Sequence, residues 1–599
     1  MKRGDKPKGI AAANKKRKAE AAAGTPLDKA LLSAAAAENA AAAFASARPV
    51  KHTVLAPVCK PDRLRAAFQQ ALHGLSADLH ESDSAKLYQC KDLAELANDV
   101  AELSQVRALR DALYSAEMRE MMASVVGCGT LADTVDCRAS IYNEGCHVLP
   151  HALLPRSDHA MRRVAFFFFL TPDEEWSEED GAALELYDPA DRGPSARRQS
   201  VLPQWNSMLI IDADSAGPAP VVGLSEVVSG EKTLMCISGW YYLAAGPGRG
   251  VGMTAWGGVT GGDGGGAAAA GAPLGLGSVI ESGSAKSQTL SAGDKALLSR
   301  FVAEEYLAED KIAEVCASFE SDSAAKLSDF LKRDVAAAVV RACRAADARD
   351  AVGRGRWIRP ATGVDPAQWQ VRGPVLDQRF LELLPSTTVA DGAAAVAGGD
   401  VETELAALRD DLMASGAFAR LLAALTGMEV THTRSVARRF RAGLDFSKAS
   451  SDAASCAMTA GGMCLDATLC FVDDQDDDEG AGAGGMGRGE SCLGLVGMLA
   501  GEKRDMWQSS LVGGYQAYVD HQGSEPYEFY SGGGGVGGGG ANEEAEEEDG
   551  PLAQAVAERN TLFLALRDEG VARVVKYVSA LAPGSRWDVA LEASVRAED

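Results

Sequence analysis

Three of the chain's eight histidines, His147, His151 and His159, fall in one Pro-punctuated segment from Tyr142 to His159, with Asp158 beside the last of them. Imidazole nitrogens and a carboxylate are the donor set of zinc and non-haem iron centres, so this segment is the one place where a metal site could be nucleated. Histidines on a solvated loop would read the same way. Other patterns fail. The glycine runs lack the Lys-Ser/Thr of a phosphate loop. Asp474, Asp476 and Asp478 have the spacing of the first calcium-loop ligands, but Glu479 stands where that loop needs glycine. No Gly-x-Ser-x-Gly elbow occurs, and the 12 cysteines are scattered without a CxxC pair, which indicates neither a zinc site nor a disulfide framework and suits a reducing compartment.

The elements that would position the histidines follow from the apolar pattern. Val164 to Leu170 is a continuous apolar run of strand length, suited to a strand buried on both faces, and Met208–Ile211 and Met235–Trp240 are two more. A helical stretch, Ala94 to Met122, precedes them. Several short strands at regular spacing favour a jelly roll over a βαβ fold. The order then recurs: helices at Asp294–Ala317, Ala324–Ala345 and Glu402–Leu425 are followed by strands at Leu465–Val472, Gly514–Val519, Thr561–Leu566, Val574–Tyr577 and Trp587–Leu591. Helices then strands, twice over, predict an α+β, mainly β protein of two related halves.

The expected boundaries are a disordered basic, Ala-rich tail over 1–50, a first domain over 51–243, a Gly/Ala/Ser linker over 244–292 and a second domain over 293–599. Acidic and glycine-rich insertions near 473–490 and 531–552 are expected to be surface loops. The tail carries Lys15, Lys16, Arg17 and Lys18, which fit a nuclear import signal as well as a solvated charge run. The net charge of −25, from 59 basic and 84 acidic residues, argues against direct nucleic-acid binding and for a basic partner. No run of 18 or more apolar residues occurs, so the chain is expected to be soluble, off the membrane, and shared between nucleus and cytoplasm.

The order of motifs resembles the Fe(II)/2-oxoglutarate-dependent prolyl 3-hydroxylases, which modify a small-subunit ribosomal protein. Tyr142 to Leu149, His151, Arg162–Phe166, Gly181–Asp188, Leu202–Asn206, Leu224–Lys232 and Ile237–Trp240 carry the likeness in the first half. Arg438–Asp445, Asn560–Asp568, Val574–Tyr577 and Arg586–Asp588 carry it in the second. The resemblance implies two double-stranded β-helix (jelly-roll) domains with flanking helices, of which only the first is catalytic.

That chemistry needs two histidines and a carboxylate, leaving iron positions open for 2-oxoglutarate and dioxygen. The family pattern puts the first ligand on His151, the carboxylate on Leu153, the distal histidine on Val222 and the 2-oxoglutarate arginine on Leu234. A family tyrosine falls on Phe169, and Tyr142 is retained as a wall residue of the cofactor pocket. No histidine occurs between His159 and His432, so the loss of the distal ligand does not depend on the placement of Val222.

The expectation is a decayed centre that binds no cofactor, Leu153, Val222 and Leu234 closing the cavity with apolar atoms, in a protein that acts by binding a basic ribosomal or ribosome-associated protein. Asp158 as carboxylate, Lys232 as 2-oxoglutarate partner, and His147 or His159 as second imidazole would rescue an active dioxygenase using Fe(II), 2-oxoglutarate and ascorbate. An acidic chaperone acting through its two acidic loops is a third reading. Asp445, Asp568 and Asp588 are read as turn or capping residues.

Overall fold

The computed structural model describes residues 25–82, 84–96, 101–153, 156–157, 160–171, 176–188, 198–213, 219–244, 280–285, 290–357, 359, 361–385, 399–448, 463–474, 503–508, 512–520, 551–568 and 571–597. Lys15–Lys18, Asp158, His159, the glycine-rich centre of the expected linker and most of both acidic insertions lie outside them.

The first half contains β1 (His52–Leu55), β2 (Ala77–Glu81), β3 (Ala85–Cys90), β4 (Cys137–Tyr142), β5 (His147–Ala152), β6 (Arg156–Ser157), β7 (Ala160–Phe169), β8 (Leu184–Tyr187), β9 (Arg198–Val201), β10 (Ser207–Asp212), β11 (Val221–Leu224) and β12 (Leu234–Tyr242). The second contains β13 (Ile280–Ala285), β14 (Ala324–Leu327), β15 (Trp369–Arg372), β16 (Gln378–Leu383), β17 (Met428–Phe440), β18 (Phe446–Ser447), β19 (Met463–Phe471), β20 (Gln516–Asp520), β21 (Ala553–Ala555), β22 (Thr561–Arg567), β23 (Val571–Val575) and β24 (Arg586–Ala597).

Each set forms one 12-stranded sheet. The first runs β1-β10-β7-β12-β4-β3-β5-β11-β8-β9 and the second β14-β22-β19-β24-β17-β16-β18-β23-β20-β21. The two paths match position for position. Neighbouring strands are antiparallel throughout, as in β7 against β12 or β17 against β24, and no crossover helix joins parallel strands among the described residues.

Side-chain alternation shows each path wrapping back on itself. In β7, Phe166 and Phe168 pack with Leu64, Leu109 and Met118 of the covering helices, whereas Phe167 and Phe169 join Leu184, Leu186 and Val222 from the far end of the path. A strand with both faces buried has no polar side to show, which is why the sequence there reads as an unbroken apolar run. The interior cluster draws on both ends of the strand path, so the sheet closes around a lumen as a double-stranded β-helix does. The second half repeats the plan, with Leu465, Leu469, Val589 and Leu591 under helices such as Arg333–Arg349 and Gly416–Thr426.

Three expectations are corrected. Residues 25–50 are not an irregular tail: Ala34–Ser46 is a helix capped by the Ser33 side chain, and its Phe44 is buried against the first core. The expected linker holds strand β13, whose backbone pairs with β17. Ala324–Ala345 is not one helix. Ser323 at φ +53 ends the preceding helix in the left-handed region, and Ala324–Leu327 then pairs with β22 before the next helix starts at Arg333.

Candidate functional site

His151 lies on β5 directly across from Val222 of β11. Its Nδ1–H donates to the Leu149 carbonyl at 3.0 Å, which makes Nε2 the nitrogen carrying the lone pair, and burial lowers its pKa to about 4. The imidazole is therefore neutral near pH 7, the state a metal requires. The other positions that the family motif gives to the iron and co-substrate partners hold apolar side chains. Leu153 is 2% exposed and Val222 and Leu234 are 0% exposed, and all three belong to the one apolar cluster that fills the first lumen. Tyr142, paired in register with Leu234, and Phe169 complete the wall. A gap there would forfeit dispersion contacts, so leucine and valine side chains close on one another.

The substitute residues that the structure describes point elsewhere. Lys232, expected to face 2-oxoglutarate from the strand of Leu234, precedes that strand; its Nζ donates to Asp180 Oδ2 at 2.8 Å and stands 5.8 Å from the Trp176 ring centre. His147 stacks on Tyr577 of the second half, ring centres 4.2 Å apart, with its pKa lowered to about 4 by burial. Alternation along β5 explains this: Val148 points into the lumen, so His147 points out of it. Among the described residues no group of three or more His, Cys, Asp or Glu stands close enough to hold a metal ion.

His147 belongs to a seam between the halves that sequence reasoning missed. Glu226, three residues after Gly223 of β11, accepts from Tyr577 Oη at 3.0 Å, Ser579 Oγ at 2.5 Å and the Ala580 amide at 2.6 Å. Burial pushes its carboxyl up to about 7 against these three donors. Gly181, at φ +73, permits the close approach that sets Glu226, since a Cβ there would lie 1.9 Å from the Glu226 carbonyl oxygen. Arg379 Nη1 donates to Tyr187 Oη at 3.2 Å, and Lys448 Nζ to the Pro150 carbonyl at 2.7 Å. A cavity of about 20 Å³, enclosed by His147, Glu226, Trp357, Arg379 and Tyr577, has room for about one water. The only sequence signal was the placement of Glu226 and Tyr577 in motifs of different halves.

Of the three aspartates read as turn or capping residues, Asp445 does accept the Arg441 amide at 3.0 Å across its turn. Asp588 is a correction. It sits inside β24, fully buried, in a two-point pair with Arg438 at 2.7 and 3.1 Å, because its side of the strand faces the second lumen rather than solvent.

Comparison with known proteins places this geometry. Residues 137–242 match the 2OG-Fe(II) oxygenase superfamily model, and 293–599 match the model described as oxoglutarate and iron-dependent oxygenase degradation C-term. The first half is thus of the 2-oxoglutarate oxygenase class. With the second model spanning just over half of the sequence, the chain belongs to the prolyl 3-hydroxylase family represented by OGFOD1. It is 26% identical over 568 residues to prolyl 3,4-dihydroxylase OGFOD1 of Ostreococcus tauri, covering 92% of this chain and 96% of that one. It is 29% identical over 195 residues to prolyl 3-hydroxylase OGFOD1 of Xenopus laevis, 32% and 35% of the two chains. Among solved structures, a Pseudomonas putida prolyl-4-hydroxylase is 15% identical, covering 34% of this chain and 100% of that one at a TM-score of 0.26.

The family depends on Fe(II) and 2-oxoglutarate, and the residues described here do not fit that pair. One imidazole set among aliphatic side chains offers Fe(II) a single donor, and divalent iron binds weakly in the metal series. Leu234 itself offers no guanidinium, so the charge-assisted pair that would hold a dicarboxylate is missing at that position. No described helix is long and apolar enough to cross a membrane.

Proposed function

We propose that the chain is a degenerate member of the prolyl 3-hydroxylase family that acts by binding a basic ribosomal or nascent protein rather than by hydroxylating it. The observation that carries the reading is the burial of Leu153, Val222 and Leu234 in one apolar cluster, at the positions the family motif gives to the carboxylate ligand, the distal histidine and the 2-oxoglutarate arginine. The net charge of −25 supports a basic partner through long-range steering. Part of the protein is proposed to enter the nucleus through Lys15–Lys18.

Calorimetry with Mn(II) plus 2-oxoglutarate tests the decay. No saturable heat that requires Mn(II) or His151 is expected, and turnover on a proline-bearing basic ribosomal peptide stays at background while the peptide still binds in a salt-dependent way. A saturable complex lost on His151→Ala, or hydroxylated proline in the peptide, overturns the reading and promotes Asp158 with His159 as ligands.

A further inference from the structure

The lumen of the second jelly roll is far more heavily charged than the apolar cluster around Leu153, Val222 and Leu234 in the first. Across β17, β24 and β19, one inward row reads Arg434, Glu592, Asp466 and the row four residues on reads Arg438, Asp588, Cys470. Glu592 is shared by three guanidinium groups: Arg434 at 2.8 Å, Arg573 at 2.9 Å and Arg567 at 3.5 Å. Asp466 pairs with the last two at 3.3 and 3.2 Å. Asp588 holds both Arg438 and Arg586. Among the described residues, five arginines thus meet three carboxylates, a surplus of two positive charges inside a barrel of a strongly acidic protein. Burial raises Asp588 and Glu592, but the arginines outweigh it and hold both carboxyls below their usual range. An uncompensated buried charge costs several kcal/mol per ion, so the surplus calls for an anion.

Two orphaned groups show where the anion fits. Arg434 is 6% exposed, and its Nη1 has no hydrogen-bond partner although Nη2 bonds Glu592. Thr468, 1% exposed, has an Oγ1 without a partner. Thr468 lies in the row between the two charged rows, next to Ala590 in register. Small side chains there set a donor hydroxyl and a free guanidinium edge in one stretch of lumen. Arg567 Nε and Arg573 Nη1 also lack a hydrogen bond, but both stand in ion pairs with Asp466, and Arg586 is satisfied by the Gly514 carbonyl and Gln516.

We propose that this lumen binds a small, doubly charged oxyanion, phosphate-like or a short dicarboxylate, through Arg434 and Thr468. The site is separate from the decayed centre around His151 and does not depend on how that centre is read. A guanidinium edge and a hydroxyl present adjacent donors to two oxygens of one anion, and two negative charges cancel the surplus.

Calorimetry and thermal unfolding of the full chain against inorganic phosphate, sulfate, 2-oxoglutarate and succinate test it. One of the four is expected to bind saturably at one per chain and to raise the unfolding temperature; which one does so separates a phosphate site from a dicarboxylate site. Arg434→Met should weaken that binding by about tenfold or more, the loss of one charge-assisted hydrogen bond. Thr468→Val, of nearly the same shape, should weaken it without lowering the unfolding temperature of the anion-free protein, and His151→Ala should leave it unchanged. Absence of saturable binding by all four anions overturns the proposal, and a gain in stability on Arg434→Met would then mark the guanidinium as an unrelieved charge. Binding that survives Arg434→Met and Thr468→Val overturns it as well.

Discussion

Three titratable side chains near the seam set the acid response of the first half. His147 and His151 have pKa values lowered by burial from 6.5 to about 4, so the stability tied to their neutral rings is present above pH 6.5 and lost as pH falls toward 4. Glu226 works in reverse: burial raises it from 4.5 to about 7, so its share is present below pH 4.5 and lost as pH rises through 7. Between pH 6.5 and 4.5 unfolding takes up two protons at the histidines and releases one at Glu226. The net uptake of one proton predicts a loss of about 1.4 kcal/mol per pH unit on acidification in that window. Urea titrations at pH 6.5 and 5 should show it, and His151→Leu should flatten the slope; an unchanged slope in that variant would place the proton uptake elsewhere. His151 was legible in the sequence because its motif is contiguous. The partners of Arg434 and Asp588 were not, since a charged residue every second position of a strand reads as a solvated face whether it meets water or an ion pair across a lumen.

The elements were legible where their pattern was unambiguous. The Phe-rich run predicted β7 because only a strand with both faces buried tolerates Val164 to Leu170 without a polar residue. The helix at Ala34–Ser46 escaped notice because alanine gives no stripe and its single large side chain is Phe44. That side chain is the helix's purchase on the first core, so Phe44→Ala should cost about 3–5 kcal/mol if the pocket stays open. Chemical denaturation of the variant checks it. A loss below about 1 kcal/mol would mean that the helix rests on the surface and that the tail reading was nearer the truth. Ala324–Leu327 was misassigned for a related reason: alanine and leucine favour helix locally, and only the open edge of β22 makes them a strand.

At the scale of the whole molecule the halves are tied by directed polar contacts. Removing the Glu226 carboxylate strands three buried donors, Tyr577 Oη, Ser579 Oγ and the Ala580 amide. Glu226→Ala should therefore cost about 3 kcal/mol or more across the seam, at about 1 kcal/mol or more for each buried donor left unsatisfied, and split one calorimetric transition into two. A single transition in the variant would show that apolar contacts such as Leu149 with Phe446 and Tyr577 suffice to couple the halves. The shared strand order has a further consequence. Each half offers the other's strands a slot of matching position, so a full-length chain refolding from denaturant can cross-pair its twins, whereas on the ribosome the first barrel is complete before the last strands of the second emerge. Yield on refolding should accordingly fall short of yield from synthesis. The contrast between the two lumens then acts as a proofreading device: a strand carrying Arg434 or Asp588 lodged in the first barrel would bury its charge without the native counterion, a leucine-bearing one in the second would strand the charges already there, and either would be expelled.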